Sequence, residues 1–197
     1  MVTSKDEPII AGSEAYNGIV AVDPGSSSGA ICSLVLGPTG QVGIAAVNMP
    51  DNYEDIFKLI DIKSMAHRFQ RFKILWVIEN VGGSMPGNAA KSARTFSEHM
   101  GALKMALIAC DITHSWFVLP KAWMYGLYGE DVEFPKGMDN KSKRKDYIYN
   151  DMQKRWSSSF EFTKRQADAV GILTYAKNYL ESKQFLEHKK APIHEAT

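Results

Sequence analysis

Hydrophobic and polar positions along the chain fall into segments of two kinds. Short apolar runs rich in β-branched residues predict buried strands at residues 18–23, 30–36, 42–47, 73–79 and 116–119. Apolar residues at helical spacing predict helices over residues 52–71, 88–111, 121–128, 143–156 and 164–180. A Gly-Pro-Thr-Gly turn at residues 37–40 joins the second and third strands as a hairpin, so we expect the first three strands to be antiparallel.

The order of these segments predicts a mixed α/β fold. Three antiparallel strands are followed by strand-helix-strand units, which add two parallel strands to one five-stranded sheet with helices on both faces. Residues 1–16 are polar and mixed, and residues 183–197 are charged without apolar periodicity. We therefore expect one folded domain over residues 17–182, between a flexible leader and a flexible tail.

The composition is that of an ordinary globular protein, with 197 residues of which 45% are hydrophobic and 23% charged. The two cysteines, Cys32 and Cys110, lie in apolar stretches, which indicates small core residues in a reducing compartment. The chain begins without the pattern of a signal peptide, and its apolar runs are far shorter than the ~20 residues that cross a bilayer. We expect a cytoplasmic protein without membrane contact, in a bacterium, a phage-infected host or an organelle interior.

Positive charge is concentrated in one region, although the net charge is only +1. Residues 136–165 contain nine basic and four acidic residues, and the rest of the chain is slightly acidic. A one-sided basic zone is the usual footprint of contact with phosphate backbones. A solvated helix face explains the same run equally well, so this zone alone does not decide between the two.

Three acidic residues stand where buried elements begin or end. Asp23 ends the first strand, Glu79 ends the fourth, and Asp168 lies in the first turns of the last helix. A carboxylate beside a buried stretch loses hydration unless a cation or hydrogen-bond donors meet it, and three carboxylates at one point suit a hard ion such as Mg²⁺. Each acid alone also has a structural explanation, as a turn residue, a strand end or a helix N-terminal acid. A functional site therefore depends on all three converging.

Four segments together resemble one known family. The segment VAVDPGSSSGA at residues 20–30 is similar to the first-strand motif of RuvC-type Holliday-junction resolvases, and VIENV at residues 77–81 is similar to their second acidic strand. The helix over residues 88–111 resembles the long helix that follows, and QADA at residues 166–169 resembles the closing acidic helix. The resemblance covers nearly all of the predicted domain. The sequences of the loop at residues 84–87 and of the later region are more similar to phage- and organelle-type members than to ordinary bacterial ones.

The resemblance implies a ribonuclease-H-like fold and an endonuclease that resolves four-way or other branched DNA junctions. It implies two-metal hydrolysis of phosphodiesters with Mg²⁺, for which Mn²⁺ would substitute, one ion activating a water and the other stabilising the leaving 3′ oxygen. Asp23 would bridge both ions, and Glu79 and Asp168 would complete their shells. The helix over residues 88–111 would form a homodimer interface, whose two-fold axis suits a pseudo-symmetric junction.

The chain departs from the family pattern shortly before its last acid. Relatives carry a further Asp or His ligand about one helical turn earlier, where this chain has Lys164 and Arg165. Neither cation ligates a metal, but either could pair with Asp168 or contact the scissile phosphate. Glu161 is a substitute candidate for the missing ligand.

The loop after Glu79 is a second departure. Some relatives carry an aromatic wedge three residues on, where this chain has Gly82; Met85 is our substitute wedge, and a simple turn is the alternative. A basic residue in the region of residue 141 assists catalysis in some relatives, which makes Lys141, or else Lys145, a catalytic candidate, and we assign Lys141. We expect DNA to be contacted by Lys143, Arg144, Lys145, Lys164, Arg165, Met85, Lys91 and Arg94.

Other functions compete with junction resolution. Another ribonuclease-H-like nuclease, hybrid-specific or transposase-like, would share the same acids. A nucleotide-binding ATPase or kinase also opens with a strand and an acidic turn, but it needs a second phosphate-binding hairpin and more than ~300 residues, which this chain lacks. A junction-binding protein, weakened in catalysis by the missing fourth ligand, is the non-enzymatic alternative.

Overall fold

The computed structural model describes residues 15–25, 28–37, 41–69, 72–81, 90–129 and 140–183. Its centre is a single five-stranded sheet in the order β3-β2-β1-β4-β5. The strands are β1 (Gly18–Asp23), β2 (Ala30–Leu36), β3 (Val42–Asn48), β4 (Ile74–Glu79) and β5 (Ser115–Val118). The first three strands are antiparallel, and β1, β4 and β5 run parallel. The predicted mixed sheet is therefore confirmed.

Within the residues that the structure describes, five α-helices surround the sheet: α1 (Tyr53–Phe69), α2 (Ala90–Ala109), α3 (Pro120–Tyr128), α4 (Asn140–Trp156) and α5 (Ala167–Ser182). The predicted helices are all present, with small shifts at their ends. Helix α3 begins at Pro120 because proline suits the first helical position, where its missing N–H is not needed. Helix α4 begins three residues earlier than the apolar periodicity predicts, because residues 140–142 extend it with polar side chains only.

The last helix is introduced by a 3₁₀ turn, Lys164–Gln166. The predicted capping box is present: Thr163 and Gln166 satisfy each other's backbone N–H groups through their side chains. This cap fixes the point at which α5 starts, and with it the position of Asp168 in the first turn of the helix.

The core is divided between the two faces of the sheet, because alternate residues of each strand point to opposite sides. On β1, Ile19 and Ala21 join a cluster with α3, α4 and α5. Val20 and Val22 join a second cluster with α1 and α2. Both cysteines are free and buried, one in each cluster, which agrees with their expected role as small core residues.

The folded part includes Tyr16, which the sequence assigns to the leader. Its side chain is buried at 3% exposure, its ring meets His114 edge-on, and the Lys73 ammonium lies 5.2 Å from the ring centroid. The rest of the predicted leader up to residue 14, and the tail from residue 184, lie outside the described residues. Within the described ranges, the helices are too short or too polar for any of them to cross a membrane.

Candidate active site

The topology brings the ends of β1 and β4 to one edge of the sheet. The two strands are parallel neighbours, and Val22 stands opposite Ile78, so Asp23 and Glu79 follow side by side. Both acids continue the series of side chains that faces α5, because Ile19, Ala21, Leu75 and Val77 on the same strands pack on that side. Helix α5 packs against β1 and carries Asp168 in its first turn.

The three acids are close enough to perturb one another. Asp23 and Glu79 are only 7% and 8% exposed. Burial raises the pKa of Asp23 well above its ordinary value, and the charges of Glu79 and Asp168 raise it further. The structure therefore places the three predicted acids in one electrostatic cluster.

The turn after β1 holds Asp23 by close backbone packing. The Gly25 N–H donates to Asp23 Oδ1 at 3.2 Å, and the Gly29 N–H donates to the Gly25 carbonyl oxygen at 2.6 Å. A Cβ atom on Gly29 would lie 2.2 Å from the backbone carbonyl oxygen of Gly25 and 2.5 Å from that of Asp23. At these distances the backbone would have to shift. The glycine that ends the DPGSSSG segment is thus required by a close approach, which is a physical reason for the motif.

Glu79 is oriented by a tryptophan that the sequence analysis did not single out. The Trp123 indole N–H donates to Glu79 Oε1 at 2.8 Å, and the ring is 2% exposed. Gly171 on α5 provides space for that ring, because an added Cβ would lie 2.9 Å from Trp123 Cζ3. Burial raises the pKa of Glu79 to about 7, against the opposing effect of the Trp123 hydrogen bond. A buried indole needs a partner for its N–H, but the sequence does not identify that partner.

Asp168 is met by Lys145 from α4. The Lys145 Nζ lies 3.3 Å from Asp168 Oδ2, and it also donates to the Ser28 carbonyl oxygen at 3.3 Å. The second carboxylate oxygen, Asp168 Oδ1, is buried and has no hydrogen-bond partner within the described part of the chain. Lys145, expected to contact DNA, therefore lies against the acids.

The chemistry of this cluster suits a hard divalent cation. As the side chains stand, no three acidic, histidine or cysteine residues of the described ranges are arranged to hold a metal ion. Asp23 and Glu79 are nevertheless buried beside the partly buried Asp168, the charges of Glu79 and Asp168 act on Asp23, and Asp168 Oδ1 has no partner among the described residues. Oxygen donors of this kind are the preferred ligands of Mg²⁺ and Mn²⁺. The residues fit such an ion once their side chains turn toward it and the Lys145 ammonium withdraws.

The cations that replace the expected fourth ligand are engaged elsewhere. Lys164 forms an ion pair with Asp146, and Arg165 Nη2 donates to the Met49 carbonyl oxygen at 3.0 Å. Lys164 and Arg165 were expected either to pair with Asp168 or to contact the scissile phosphate. In the structure, the cation that pairs with Asp168 is Lys145. Glu161, the substitute ligand, is exposed.

The other predicted DNA-contacting residues are spread over two helices. On α4, Lys143 is exposed and Arg144 is half-buried, near enough to Glu79 for its charge to lower the pKa of that carboxyl. On α2, Arg94 is exposed and its Nε lies 2.7 Å from Glu98 Oε1. The remaining predictions fall outside the described residues: the side chains of Lys141 and Lys91, and the whole of Met85.

Helix α2 has one buried and one exposed apolar face. The buried face, with Met100, Leu103 and Leu107, packs against the sheet in the second core cluster. Met105 and Ile108 are 62% and 70% exposed on the other side. Gly101 is also exposed there, and an added Cβ would meet no atom within 4 Å. The helix expected to form a homodimer therefore presents apolar side chains to solvent.

Comparisons with known proteins identify the fold. No protein-family profile matches the chain, and no curated protein sequence matches it. RuvC from Thermus thermophilus is similar in structure, with a TM-score of 0.50 and 14% identity over 84% of this chain and 96% of that one. T. thermophilus RuvC in complex with a Holliday junction substrate gives a TM-score of 0.52 at 11% identity, over the same shares.

The yeast mitochondrial Holliday junction resolvase Ydc2 has 14% identity over 89% of this chain and 87% of its own, but its TM-score of 0.39 adds nothing to the fold assignment. The closer kinship to phage- and organelle-type members stays a prediction. The sheet order, the strand directions and the two RuvC structures agree with one another. This chain has the ribonuclease-H-like fold of RuvC.

Proposed function

We propose that this protein is a Mg²⁺-dependent endonuclease that cuts four-way or other branched DNA junctions. The observation that carries the proposal is the cluster of Asp23, Glu79 and Asp168, three carboxylates from β1, β4 and α5 that share one partly buried space. This arrangement is costly for the fold, because burial and the neighbouring negative charges disfavour the charged forms of Asp23 and Glu79. A divalent cation bound among the acids would offset this cost, so the cluster fits a metal site.

The residues have distinct parts in the proposed reaction. Asp23, Glu79 and Asp168 would hold the ions, whose chemistry when bound would be to activate a water and to stabilise the leaving 3′ oxygen. Asp23 is buried and interacts with both other acids, and the family resemblance would give it the part of binding both ions. Trp123 keeps Glu79 oriented through its indole N–H, and the turn ending at Gly29 keeps Asp23 in place.

The surroundings of the acids suit a polyanionic substrate. Helix α4 contributes Arg144 and Lys145, whose charges act on Glu79, and Lys164 begins the turn before α5. Cations beside a hydrolytic centre attract phosphate backbones and hold them in register. One of the two similar RuvC structures is a complex with a Holliday junction substrate, which supports a branched substrate here.

The exposed apolar face of α2 supports a homodimer. Met105 and Ile108 remain mostly exposed in the single chain, and the open surface at Gly101 permits a second helix to approach closely. A two-fold pair of such chains would carry two acid clusters, one for each strand of a symmetric junction.

The test is cleavage of matched four-way, three-way, nicked and linear DNA, with and without Mg²⁺. We expect cutting of the branched substrates only when Mg²⁺ is present. Asp23→Asn should abolish cutting and retain junction binding in a gel-shift assay, because it removes a metal ligand and leaves the basic residues in place. Glu54→Gln, on an acid whose side chain is 77% exposed, is the matched control and should cut normally. Parental cutting by Asp23→Asn would contradict the site assignment.

A catalytically weakened junction-binding protein is the second candidate. It is favoured by Lys164 and Arg165, which stand where relatives carry a further ligand. The same experiment separates the two functions: junction binding without Mg²⁺-dependent cutting would favour the binding protein. Cutting of RNA–DNA hybrids in preference to junctions would favour a hybrid-specific nuclease.

A further inference from the structure

Lys145 places a cation against the acid cluster. Its Nζ lies 3.3 Å from Asp168 Oδ2, and the two side chains are only 19% and 18% exposed. The same charge lowers the pKa values of Asp23 and Glu79, so one ammonium acts on all three carboxylates. Its hydrogen bond to the Ser28 carbonyl oxygen fixes it between α4 and the turn that follows β1.

This arrangement differs from the other ion pairs of the same region. Lys164 and Asp146 pair with 44% and 49% of their side chains exposed, and Arg155 and Asp151 pair one turn apart on the same helix. Exposed pairs of that kind contribute little to stability, because water screens them. Lys145 instead lies among buried acids whose repulsion would otherwise be uncompensated.

We propose that Lys145 is a built-in counter-ion, which fills the acid cluster in the metal-free protein and which Mg²⁺ must displace in order to bind. The proposal rests on the proposed metal site. An ammonium and a divalent ion compete for the same carboxylate oxygens, since both are attracted by the same negative charge. Carboxylates arranged around an ammonium do not at the same time form a coordination shell, and none is formed as the side chains stand in the described residues.

Lys145 is therefore a positioning residue for the metal ligands. In the metal-free protein it holds the ends of three elements together: the turn at Ser28, the start of α5 at Asp168, and α4 itself. In the metal-bound protein the ions take over this neutralising part, and the ammonium is released. Lys145 and the metal should therefore each be able to stabilise the fold in the absence of the other. The charge of Lys145 should also weaken the binding of the metal.

Lys145→Met tests both consequences without DNA, because it keeps the length of the side chain and removes the charge. We expect the metal-free variant, kept in chelator, to melt at a lower temperature than the parent protein. We expect it to bind Mg²⁺ roughly ten- to a hundredfold more tightly by calorimetric titration, since no ammonium has to be displaced. Lys154→Met, at an exposed position near the end of the same helix, is the matched control and should leave both quantities unchanged.

Each other outcome has a defined meaning. Equal or weaker Mg²⁺ binding by Lys145→Met, with binding by the parent intact, would overturn the counter-ion and leave the proposed function standing. Absence of Mg²⁺ binding by every variant would overturn the proposed metal site and this inference with it. If Lys145→Met does not fold, Lys145→Gln keeps a donor for the Ser28 carbonyl oxygen and provides the same comparison of affinities.

Discussion

Replacing Trp123 by phenylalanine tests how strongly the acid cluster depends on the orientation of one carboxylate. The change keeps an aromatic ring beside Gly171 and removes the indole N–H that donates to Glu79 Oε1 at 2.8 Å. A hydrogen bond to an ionised group is worth about 1.5–3 kcal/mol, and its loss leaves a buried carboxylate oxygen without its donor. Glu79 then has more freedom to leave the geometry that a metal needs.

Two effects of Trp123→Phe are expected. The affinity for Mg²⁺ should fall about ten- to a hundredfold, the usual result of removing a partner that orients a metal ligand. The pKa of Glu79, about 7 in the parent, should rise further, because the hydrogen bond that lowers it is lost. The pH at which cleavage reaches half of its maximum should therefore move upward. Both quantities come from Mg²⁺ titrations and from cleavage rates measured between pH 6 and 9.

A second tryptophan provides the control for this prediction. Trp156 is also buried, and its indole N–H donates to Thr174 Oγ1 at 2.9 Å, but its partner is a hydroxyl and not an acid of the cluster. Trp156→Phe should lower the melting temperature and leave the Mg²⁺ requirement unchanged. The reasoning is refuted if both variants change the Mg²⁺ requirement equally, or if Trp123→Phe leaves it at the parental value.

Two further predictions concern stability and assembly. Burial raises the pKa of Glu79 from its ordinary value of 4.5 to about 7. The native state therefore binds this proton more tightly than the unfolded chain does, and the free energy of unfolding in chelator should fall between pH 4.5 and 7. For Glu79→Gln, the free energy of unfolding measured by chemical denaturation should fall by about 3 kcal/mol less over this pH range. A fall as large in the variant as in the parent protein would contradict the raised pKa of Glu79. Ile108→Glu should give a monomer by light scattering, because it places charge on the apolar face of α2. Ile62→Glu, the same change at an exposed position of α1, is the matched control, and a dimer of Ile108→Glu would exclude this face.

The fold and the three acids could be predicted because each depends on local pattern. The β-branched runs and the helical periodicity locate the elements, and Asp23 and Glu79 end two of the predicted strands. The capping box fixes Asp168 at the start of α5. The positions of the acids therefore follow from short segments, whereas the sequence left their convergence open and the pairing of β1 with β4 brings Asp23 and Glu79 together.

The partners of the acids could not be predicted in the same way. Lys145 is one of several cations in a basic run, and only the packing of α4 against α5 determines that it, and not Lys164 or Arg165, meets Asp168. Trp123 reaches Glu79 because α3 packs on α5 at a glycine. Both placements depend on how helices dock, which hydrophobic periodicity leaves open.

The acid cluster draws its members from the beginning, the middle and the late part of the chain, and α5 is the element that completes it. A chain still being synthesised has Asp23 and Glu79 long before it has Asp168, and a chain in which α5 has come away from β1 has lost the third acid. A metal site built from these three acids would therefore be complete only once α5 has docked on β1. The proposed DNA-cutting activity would be absent from any chain in which that docking has not taken place.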